Sequence, residues 1–216
     1  MIIGIPVYEG VDLLDVMGPH EMFGWAKSPH FEIDVLIVGE TLRRVTSRDG
    51  VTFLPHASFR QIERSGRQLD VIWVPGGDPD ALKRLMTDKR RRYLNFVIAQ
   101  SRQARITASV CEGALLLAQA GLLDGYRATT HWAFIPCLKQ FPAVTVVPGT
   151  PRFVIDRDRL TGGGISSGLD EALALIELLA GTKVAQSVQQ TTQYYPDPPV
   201  CSDLPEATDC PFSWHL

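Results

Sequence analysis

The chain lacks the features that point to a membrane or to nucleic acid. No apolar run reaches the length of a membrane-spanning helix, and the first eight residues are typical of a β-strand rather than of a signal peptide. Basic residues are not in excess, because 21 Lys and Arg stand against 24 Asp and Glu, for a formal net charge of -3. We therefore expect neither membrane association nor binding to nucleic acid.

Cysteine is also scarce, and its spacing does not fit the common metal sites. The four cysteines are Cys111, Cys137, Cys201 and Cys210, and none forms a CxxC pair. We expect free thiols in a reducing cytoplasm, although Cys201 and Cys210 lie close enough in the sequence to pair if oxidised. The sequence thus predicts a cytoplasmic protein without a metal site.

The most informative stretch changes from a strand pattern to a helix pattern at one residue, Cys111. Residues 106–110 are β-branched and almost uncharged, which is typical of a buried strand, whereas the residues from Glu112 onward are rich in Ala and Leu. So sharp a turn strains the backbone and lifts the side chain above the sheet edge, as in a nucleophile elbow, and Gly113 allows close packing there. The new helix would favour the thiolate. We predict that Cys111 is a nucleophile; the plainer alternative is a small core residue.

Two other groups of residues follow predicted strands. Gly76 and Gly77 come after an apolar strand and leave backbone N–H groups bare, either as an oxyanion-type cradle or as a plain tight turn. His131 and Trp132 follow a short strand, where a histidine is often structural. Strands alternate with helices along the chain, which predicts an α/β fold with a doubly wound, mostly parallel sheet and helices on both faces. Ligands bind at the carboxyl edge of such sheets, so these residues and Cys111 indicate one site.

Asp15 is a carboxylate in apolar surroundings, among Leu13, Leu14, Val16 and Met17. One interpretation is that it caps a helix or loop, with Pro19 opening a short helix behind it. The other is a carboxyl with a raised pKa, held ready for proton transfer.

The remaining sequence predicts one domain. The glycine-rich residues 160–168 lack the Lys-Ser/Thr of a phosphate loop and the acidic residue of a dinucleotide site, which favours close backbone packing. Residues 194–216 hold five of the 15 prolines. We expect a single domain over residues 1–193 and an irregular tail over residues 194–216.

Several motifs of this chain resemble those of the ThiJ/PfpI superfamily, which is glutamine amidotransferase-like, and within it they look most like isonitrile hydratases. The motifs, in order, are Asp15-Val-Met-Gly-Pro-His, Val74-Pro-Gly-Gly, Ala108-Ser-Val-Cys-Glu-Gly-Ala, Ala128-Thr-Thr-His-Trp and Leu160-Thr-Gly-Gly-Gly-Ile-Ser-Ser-Gly. The resemblance implies a flavodoxin-like sheet, a reactive Cys111, an acidic partner at Asp15 and a homodimer. It also implies that the protein uses no metal and no organic cofactor.

The residue after the cysteine departs from the hydratase pattern, because those enzymes carry a threonine where this chain has Glu112. If the Glu112 carboxylate points inward, it opposes ionisation of the thiol. If it points outward, it complements the helix dipole. The sequence leaves both orientations open.

These residues lead to one functional hypothesis and two rivals. Cys111 attacks the terminal carbon of a small organic isonitrile, Asp15 moves the proton, and water releases an N-substituted formamide. The backbone N–H groups of Gly77 and Glu112 steady the developing charge, and His131 borders the pocket. The first rival is a ligand or redox sensor related to the sensing half of AraC-type regulators. The second is another thiol enzyme, such as a cofactor-free glyoxalase or an amidase.

Overall fold

The computed structural model describes residues 1–29 and 31–212. The strands are β1 (Ile2–Val7), β2 (Asp34–Gly39), β3 (Val45–Thr46), β4 (Thr52–Phe53), β5 (Ala57–Ser58), β6 (Val71–Val74), β7 (Ile106–Ser109), β8 (Arg127–Ala128), β9 (Thr145–Val146), β10 (Phe153–Asp156) and β11 (Arg159–Gly162). The α-helices are α1 (Leu13–Ala26), α2 (Phe59–Ser65), α3 (Pro79–Thr87), α4 (Arg92–Ser101), α5 (Gly113–Gln119), α6 (Ile135–Leu138), α7 (Ser167–Ala180) and α8 (Thr182–Thr191), with a 3-10 helix at Trp132–Phe134.

Seven strands form one sheet in the order β10-β11-β7-β6-β1-β2-β5. All neighbouring pairs are parallel except β10 and β11, which form an antiparallel hairpin at one edge. The chain runs outward from β1 through β2 to β5 and then returns to β6 on the other side of β1. The order therefore reverses between β1 and β6, which confirms the doubly wound, flavodoxin-like α/β class and places the expected ligand crevice beside these two strands.

The core lies on both faces of the central strands. All four residues of β6 are buried, as expected for a parallel strand that is covered by helices on each side. Helices α1, α7 and α8 contact one another, and α3, α4, α5 and α6 form a second contacting group. On the α1 side, the Trp73 ring meets the Phe23 ring edge to face at 5.5 Å, so the middle of the sheet and α1 are packed together.

The sequence predicted that Pro19 opens a short helix. This prediction is wrong, because Pro19 lies inside the 14-residue helix α1. A proline has no N–H with which to bond the carbonyl four residues earlier, and here that carbonyl belongs to Asp15. The indole N–H of Trp73 donates to this Asp15 oxygen at 3.0 Å instead. Asp15 consequently sits in the first turn of α1, and its backbone is tied directly to β6.

The expectation of four free thiols is wrong, because Cys137 and Cys210 form a disulfide. Cys111 and Cys201 are free. The pairing links α6 to a segment 73 residues further along the chain, a proximity that only the folded chain creates. Residues 194–212 contain no helix or strand, and the last four residues of the predicted tail, 213–216, lie outside the described residues.

None of the helices within the described residues is both long enough and apolar enough to cross a membrane.

Loss of the disulfide should lower the stability of the fold. A covalent link across 73 residues restricts the unfolded chain, and such links typically contribute about 2–4 kcal/mol to the free energy of unfolding. We expect Cys210→Ser to lower the urea-unfolding free energy by that order, whereas Cys201→Ser, at an exposed free thiol, should change it little. Equal stability of the two variants would contradict the pairing.

Candidate functional site

The strand-to-helix corner at Cys111 has the strained backbone of a nucleophile elbow. Cys111 has a φ of 56°, a left-handed conformation that is uncommon for a residue other than glycine. Two hydrogen bonds hold it, because the Cys111 N–H donates to the Gly163 carbonyl at 2.8 Å and the Thr130 hydroxyl donates to the Cys111 carbonyl at 2.8 Å. A Cβ at Gly113 would overlap the Val74 carbonyl oxygen, so the glycine lets α5 begin directly against β6.

The thiol is more buried than the sequence predicted. Only 1% of the surface of Cys111 is exposed, so its side chain lies under the carboxyl edge of the sheet rather than standing free above it. The sulfur accepts a hydrogen bond from the backbone N–H of Ile165. Ile165, with Thr130, His131 and Gly163, also lines an open cavity of about 300 Å³. The sulfur therefore contacts a residue of the cavity wall, although Cys111 itself does not line the cavity.

Asp15 is brought to the sulfur by the first turn of α1. Its side chain is fully buried, and its Oδ2 accepts a hydrogen bond from the Gly76 N–H at 2.8 Å, while its Oδ1 has no hydrogen-bond partner among the described residues. One carboxylate oxygen each of Asp12 and Asp15 and the Cys111 sulfur lie within 4.8 Å of one another. Burial, and then the charges of Asp12 and Glu112, raise the pKa of Asp15 well above its ordinary value. Of the two interpretations that the sequence left open for Asp15, this direction agrees with the carboxyl of raised pKa.

Glu112 points inward, which decides between the two orientations that the sequence left open. Its side chain is buried, and the carboxylate contacts the Cys111 thiol, its own backbone N–H and the N–H of Gly77. Burial raises the pKa of Glu112, and these hydrogen bonds act in the opposite direction. A Cβ at Gly76 would overlap Oε2 of Glu112 and lie 2.8 Å from the Cβ of Cys111, so glycine is needed to admit the carboxylate.

The glycine turn therefore binds the protein's own acids. The Gly76 N–H holds Asp15, and the N–H groups of Gly77 and Glu112 face the Glu112 carboxylate. These backbone N–H groups are therefore not free, as an oxyanion-type cradle would require, because the inward-pointing carboxyl groups already occupy them. An incoming group has to displace or share these bonds.

The acids also reverse the expected ionisation of the thiol. The sequence predicted that the start of α5 would favour the thiolate. Instead, burial, followed by the charges of Asp15 and Glu112, raises the pKa of Cys111 well above its ordinary value. At neutral pH the resting sulfur is a thiol whose proton must be removed before it attacks.

His131 and Trp132 both line the cavity. His131 precedes the 3-10 helix, where its Nδ1 accepts a hydrogen bond from the Ala133 N–H at 3.2 Å. Burial and the nearby Arg48 lower the pKa of His131, so the neutral ring carries its proton on Nε2. Trp132 forms part of the cavity wall.

The site contains two groups of side chains with metal-ligand spacing. One comprises Cys111, Glu112 and His131, and the other Asp12, Asp15 and Cys111; in each, the ligand atoms lie within 4.8 Å of one another. The thiol and the carboxyls have raised pKa values, and a metal ligand has to lose its proton. A metal ion bound here would therefore have to displace these protons.

Sequence reasoning missed three residues of the site. Thr130 fixes the Cys111 carbonyl, and Asp12 lies beside Asp15, with its Oδ2 3.5 Å from Arg48. Glu171, on α7, is fully buried, and neither of its carboxyl oxygens has a hydrogen-bond partner among the described residues. Thr130 lies within a motif that had been recognised, but the burial of Glu171 depends on how α7 packs and leaves no signal in the sequence.

Comparison with known proteins gives matches over most of the chain. Residues 2–178 match the model of the DJ-1/PfpI family. An isonitrile hydratase of Pseudomonas putida is 40% identical over 204 residues, which cover 94% of this chain and 83% of that protein. The HTH-type transcriptional regulator GbdR of Pseudomonas aeruginosa is 33% identical over 153 residues, 70% of this chain but only 39% of the regulator.

Solved structures give the same result for the fold. A ThiJ/PfpI family protein from Pseudomonas syringae has a TM-score of 0.81 and 36% identity, with 92% of this chain and 77% of that chain covered. Drosophila melanogaster DJ-1beta has a TM-score of 0.75 at 20% identity, with 90% of this chain and 98% of that chain covered. The resemblance drawn from the sequence motifs is confirmed.

Replacing Glu171 with Gln should make stability less dependent on pH. Burial raises the pKa of Glu171 in the folded state, so the folded protein keeps a proton that the unfolded chain releases above the ordinary glutamate pKa. The free energy of unfolding should therefore fall as pH rises, by up to about 1.4 kcal/mol per pH unit for this group. In urea titrations between about pH 5 and 8, Glu171→Gln should flatten this slope, whereas Glu63→Gln, at an exposed position, should keep it. An unchanged slope in Glu171→Gln would show that the carboxyl is ionised.

Replacing Glu112 with Gln should make Cys111 easier to ionise. The Glu112 charge and its hydrogen bond with the thiol both raise the pKa of Cys111, and Gln removes the charge. We expect the pH profile of Cys111 alkylation by iodoacetamide, followed on the peptide by mass spectrometry, to shift to lower pH in Glu112→Gln. The exposed Cys201 serves as the internal control, and a shift to higher pH would contradict the inward orientation of Glu112.

Proposed function

Because the chain belongs to the DJ-1/PfpI family, we propose that it is a cysteine-dependent enzyme that adds water to an organic isonitrile and releases an N-substituted formamide. The observation that carries the proposal is the pairing of a buried thiol with a carboxyl whose pKa is raised, since Cys111 and Asp15 lie within 4.8 Å. The similarity to the Pseudomonas putida isonitrile hydratase supports the choice of substrate.

In the first step, sulfur and a proton add to the same carbon. Glu112, which contacts the thiol, takes the proton of Cys111. The sulfur bonds to the terminal carbon of the isonitrile, and Asp15 gives its proton to that carbon. The product is a thioimidate, R–N=CH–S, on Cys111, and Asp15 is left as a carboxylate. The step uses a protonated Asp15 and an ionised Glu112, because the N–H groups of Gly77 and of Glu112 itself face the Glu112 carboxylate, whereas the charges of Asp12 and Glu112 disfavour ionisation of Asp15.

In the second step, water releases the product and restores the site. The Asp15 carboxylate removes a proton from water as the oxygen bonds to the thioimidate carbon. The nitrogen gains one of the two water protons, Asp15 keeps the other, and the carbon–sulfur bond breaks. The sulfur recovers its proton from Glu112, so Cys111, Glu112 and Asp15 return to their starting states with no net change of charge.

The cavity supplies the place for the organic group of the substrate. Its walls include the apolar side chains of Leu14, Trp132, Ile165 and Leu204, and its volume is about 300 Å³. A group that enters here places its isonitrile carbon toward Ile165, the lining residue whose N–H contacts the Cys111 sulfur. The Nε2–H of His131, at the same wall, is positioned to donate to the oxygen of the formamide as it forms.

A ligand or redox sensor is the second candidate function. One observation favours it, the similarity to the regulator GbdR. The burial that raises the pKa of Cys111 favours the ligand-binding form of this candidate over the redox form, because redox-sensing cysteines are exposed and readily ionised. A sensor would bind its ligand in the cavity, or oxidise at the sulfur, without turnover. Two other thiol-enzyme activities remain, a cofactor-free glyoxalase and an amidase. Assays with methylglyoxal and with a small amide, run beside the isonitrile assay, distinguish them from the hydratase.

We also propose that the protein acts in the cytoplasm as a homodimer built from a single domain over residues 1–193. A groove of about 450 Å³ on the α1 side supports the dimer, since it is lined by Leu14, Met17, Met22 and Leu169. Leu14 also lines the substrate cavity, so a second copy seated on this groove would border the site.

Replacing either proposed catalytic residue should abolish turnover. Cys111→Ala removes the atom that bonds to carbon, and Asp15→Asn, which has nearly the same shape, removes the transferable proton. We expect formamide production from para-nitrophenyl isocyanide to fall at least about 10³-fold in each variant, given the effects typical of removing a nucleophile or a general acid.

The matched controls are Cys201→Ser, at the exposed free cysteine, and Asp34→Asn, at an exposed carboxylate. Both should retain turnover. Normal hydration by Cys111→Ala would overturn the proposal, and binding of an isonitrile without turnover in the unaltered protein would favour the sensor.

A further inference from the structure

The cavity beside Cys111 has one wall that does not come from the α/β fold. Leu14, Trp132 and Ile165 belong to α1, the 3-10 helix and the loop after β11, but Leu204 lies in the segment without helix or strand that ends the described chain. Leu204 is 56% exposed, so its remaining surface rests against the protein. We call residues 194–212 the strap.

The strap is fastened at both ends, and its first anchor contacts a residue that lines the cavity. At its start, the Tyr194 hydroxyl donates to Asp170 at 3.2 Å, and the same Asp170 carboxylate pairs with Arg152, which lines the cavity. At its end, Cys210 is bonded to Cys137. Between these anchors, residues 197–206 are exposed, so little besides the anchors holds this stretch in place.

The disulfide is close, in sequence and in space, to the 3-10 helix that contributes Trp132 to the cavity wall. Cys137 lies on α6, which directly follows the 3-10 helix that carries Trp132. Phe212 of the strap meets Phe134 of that 3-10 helix, with ring centroids 5.8 Å apart. The covalent bond and this ring contact therefore fix the strap to the segment that contributes Trp132 to the cavity wall.

From these contacts we propose that the strap covers one side of the substrate cavity, an arrangement that we call closure. We propose further that Leu204 limits the size of the organic group and that the Cys137–Cys210 disulfide holds the closure. The part concerning substrate size rests on the function proposed above. The part concerning closure rests only on the cavity and its anchors.

The closure is sensitive to reduction. A dithiol reductant, such as a small dithiol or a thioredoxin-type protein, attacks one sulfur of the disulfide. It leaves as a cyclic disulfide, and two electrons and two protons convert Cys137 and Cys210 to thiols. After reduction the covalent anchor is lost and noncovalent contacts, among them those of Tyr194 and Phe212, hold the strap, so the strap opens more often and the cavity admits larger molecules.

The first experiment tests Leu204 as the size-limiting residue. In Leu204→Ala, the ratio of kcat/KM for a bulky aryl isonitrile to that for a small alkyl isonitrile should rise about tenfold, the usual effect of removing methylene groups from a pocket wall. Val200→Ala is the matched control, since Val200 is an exposed apolar residue of the same strap that does not line the cavity. Equal ratios in the two variants would overturn this role for Leu204.

The second experiment tests closure without any substrate. We expect alkylation of Cys111, measured on its peptide by mass spectrometry, to be about tenfold faster in Cys210→Ser than in the oxidised protein, which corresponds to an opening free energy lower by about 1.4 kcal/mol. Reduction of the unaltered protein by a dithiol, removed before alkylation, should give the same increase. Cys201→Ser should give none.

Outcomes of the two experiments separate the claims. Faster alkylation in Cys210→Ser and in the reduced protein supports closure even if no isonitrile is hydrated, in which case only the function proposed above fails. Unchanged alkylation in both would overturn closure, and so would four reactive thiols in the denatured, unreduced protein.

Discussion

The site depends on the left-handed backbone at Cys111. Such a conformation costs roughly 1–2 kcal/mol in a non-glycine residue, and the surrounding bonds from Thr130 and to Gly163 hold it in place. The turn aims the sulfur at the first turn of α1. A hydrogen bond from the Trp73 indole N–H to the Asp15 carbonyl, which Pro19 leaves free, fixes α1 to β6. Elbow and acid are therefore fixed to neighbouring strands, β7 and β6, and their distance does not depend on a flexible loop.

The chemistry follows from how protons are shared among the buried acids. Asp15, Glu112 and the Cys111 thiol all have raised pKa values because they exclude water and repel one another. Such a cluster cannot ionise fully, so it holds at least one proton that can be moved. Addition of a thiol across an isonitrile requires a proton acceptor for sulfur and a proton donor for carbon. Glu112 and Asp15 match these two requirements because their environments differ.

The sequence predicted the parts of this arrangement that short patterns record. The elbow at Cys111 and the doubly wound sheet follow from strand and helix patterns and from Gly113. The apolar neighbours of Asp15 gave a raised pKa as one of two interpretations. The sequence did not predict the burial of the thiol, the inward Glu112 side chain or the Cys137–Cys210 pairing. Each of these depends on contacts between segments far apart in the chain, which propensity and spacing do not record. The prediction for Pro19 was wrong because a proline normally breaks a helix, whereas here the Trp73 N–H donates to the carbonyl that Pro19 leaves without a partner.

The central claim is that Asp15 is a neutral acid beside the Cys111 sulfur in the resting protein. The most direct measurement is the infrared difference spectrum between the unaltered protein and Asp15→Asn at neutral pH. The account predicts that a carbonyl stretch of a protonated carboxyl group disappears in the variant. Loss of carboxylate bands alone would mean that Asp15 is ionised, and it would contradict the account.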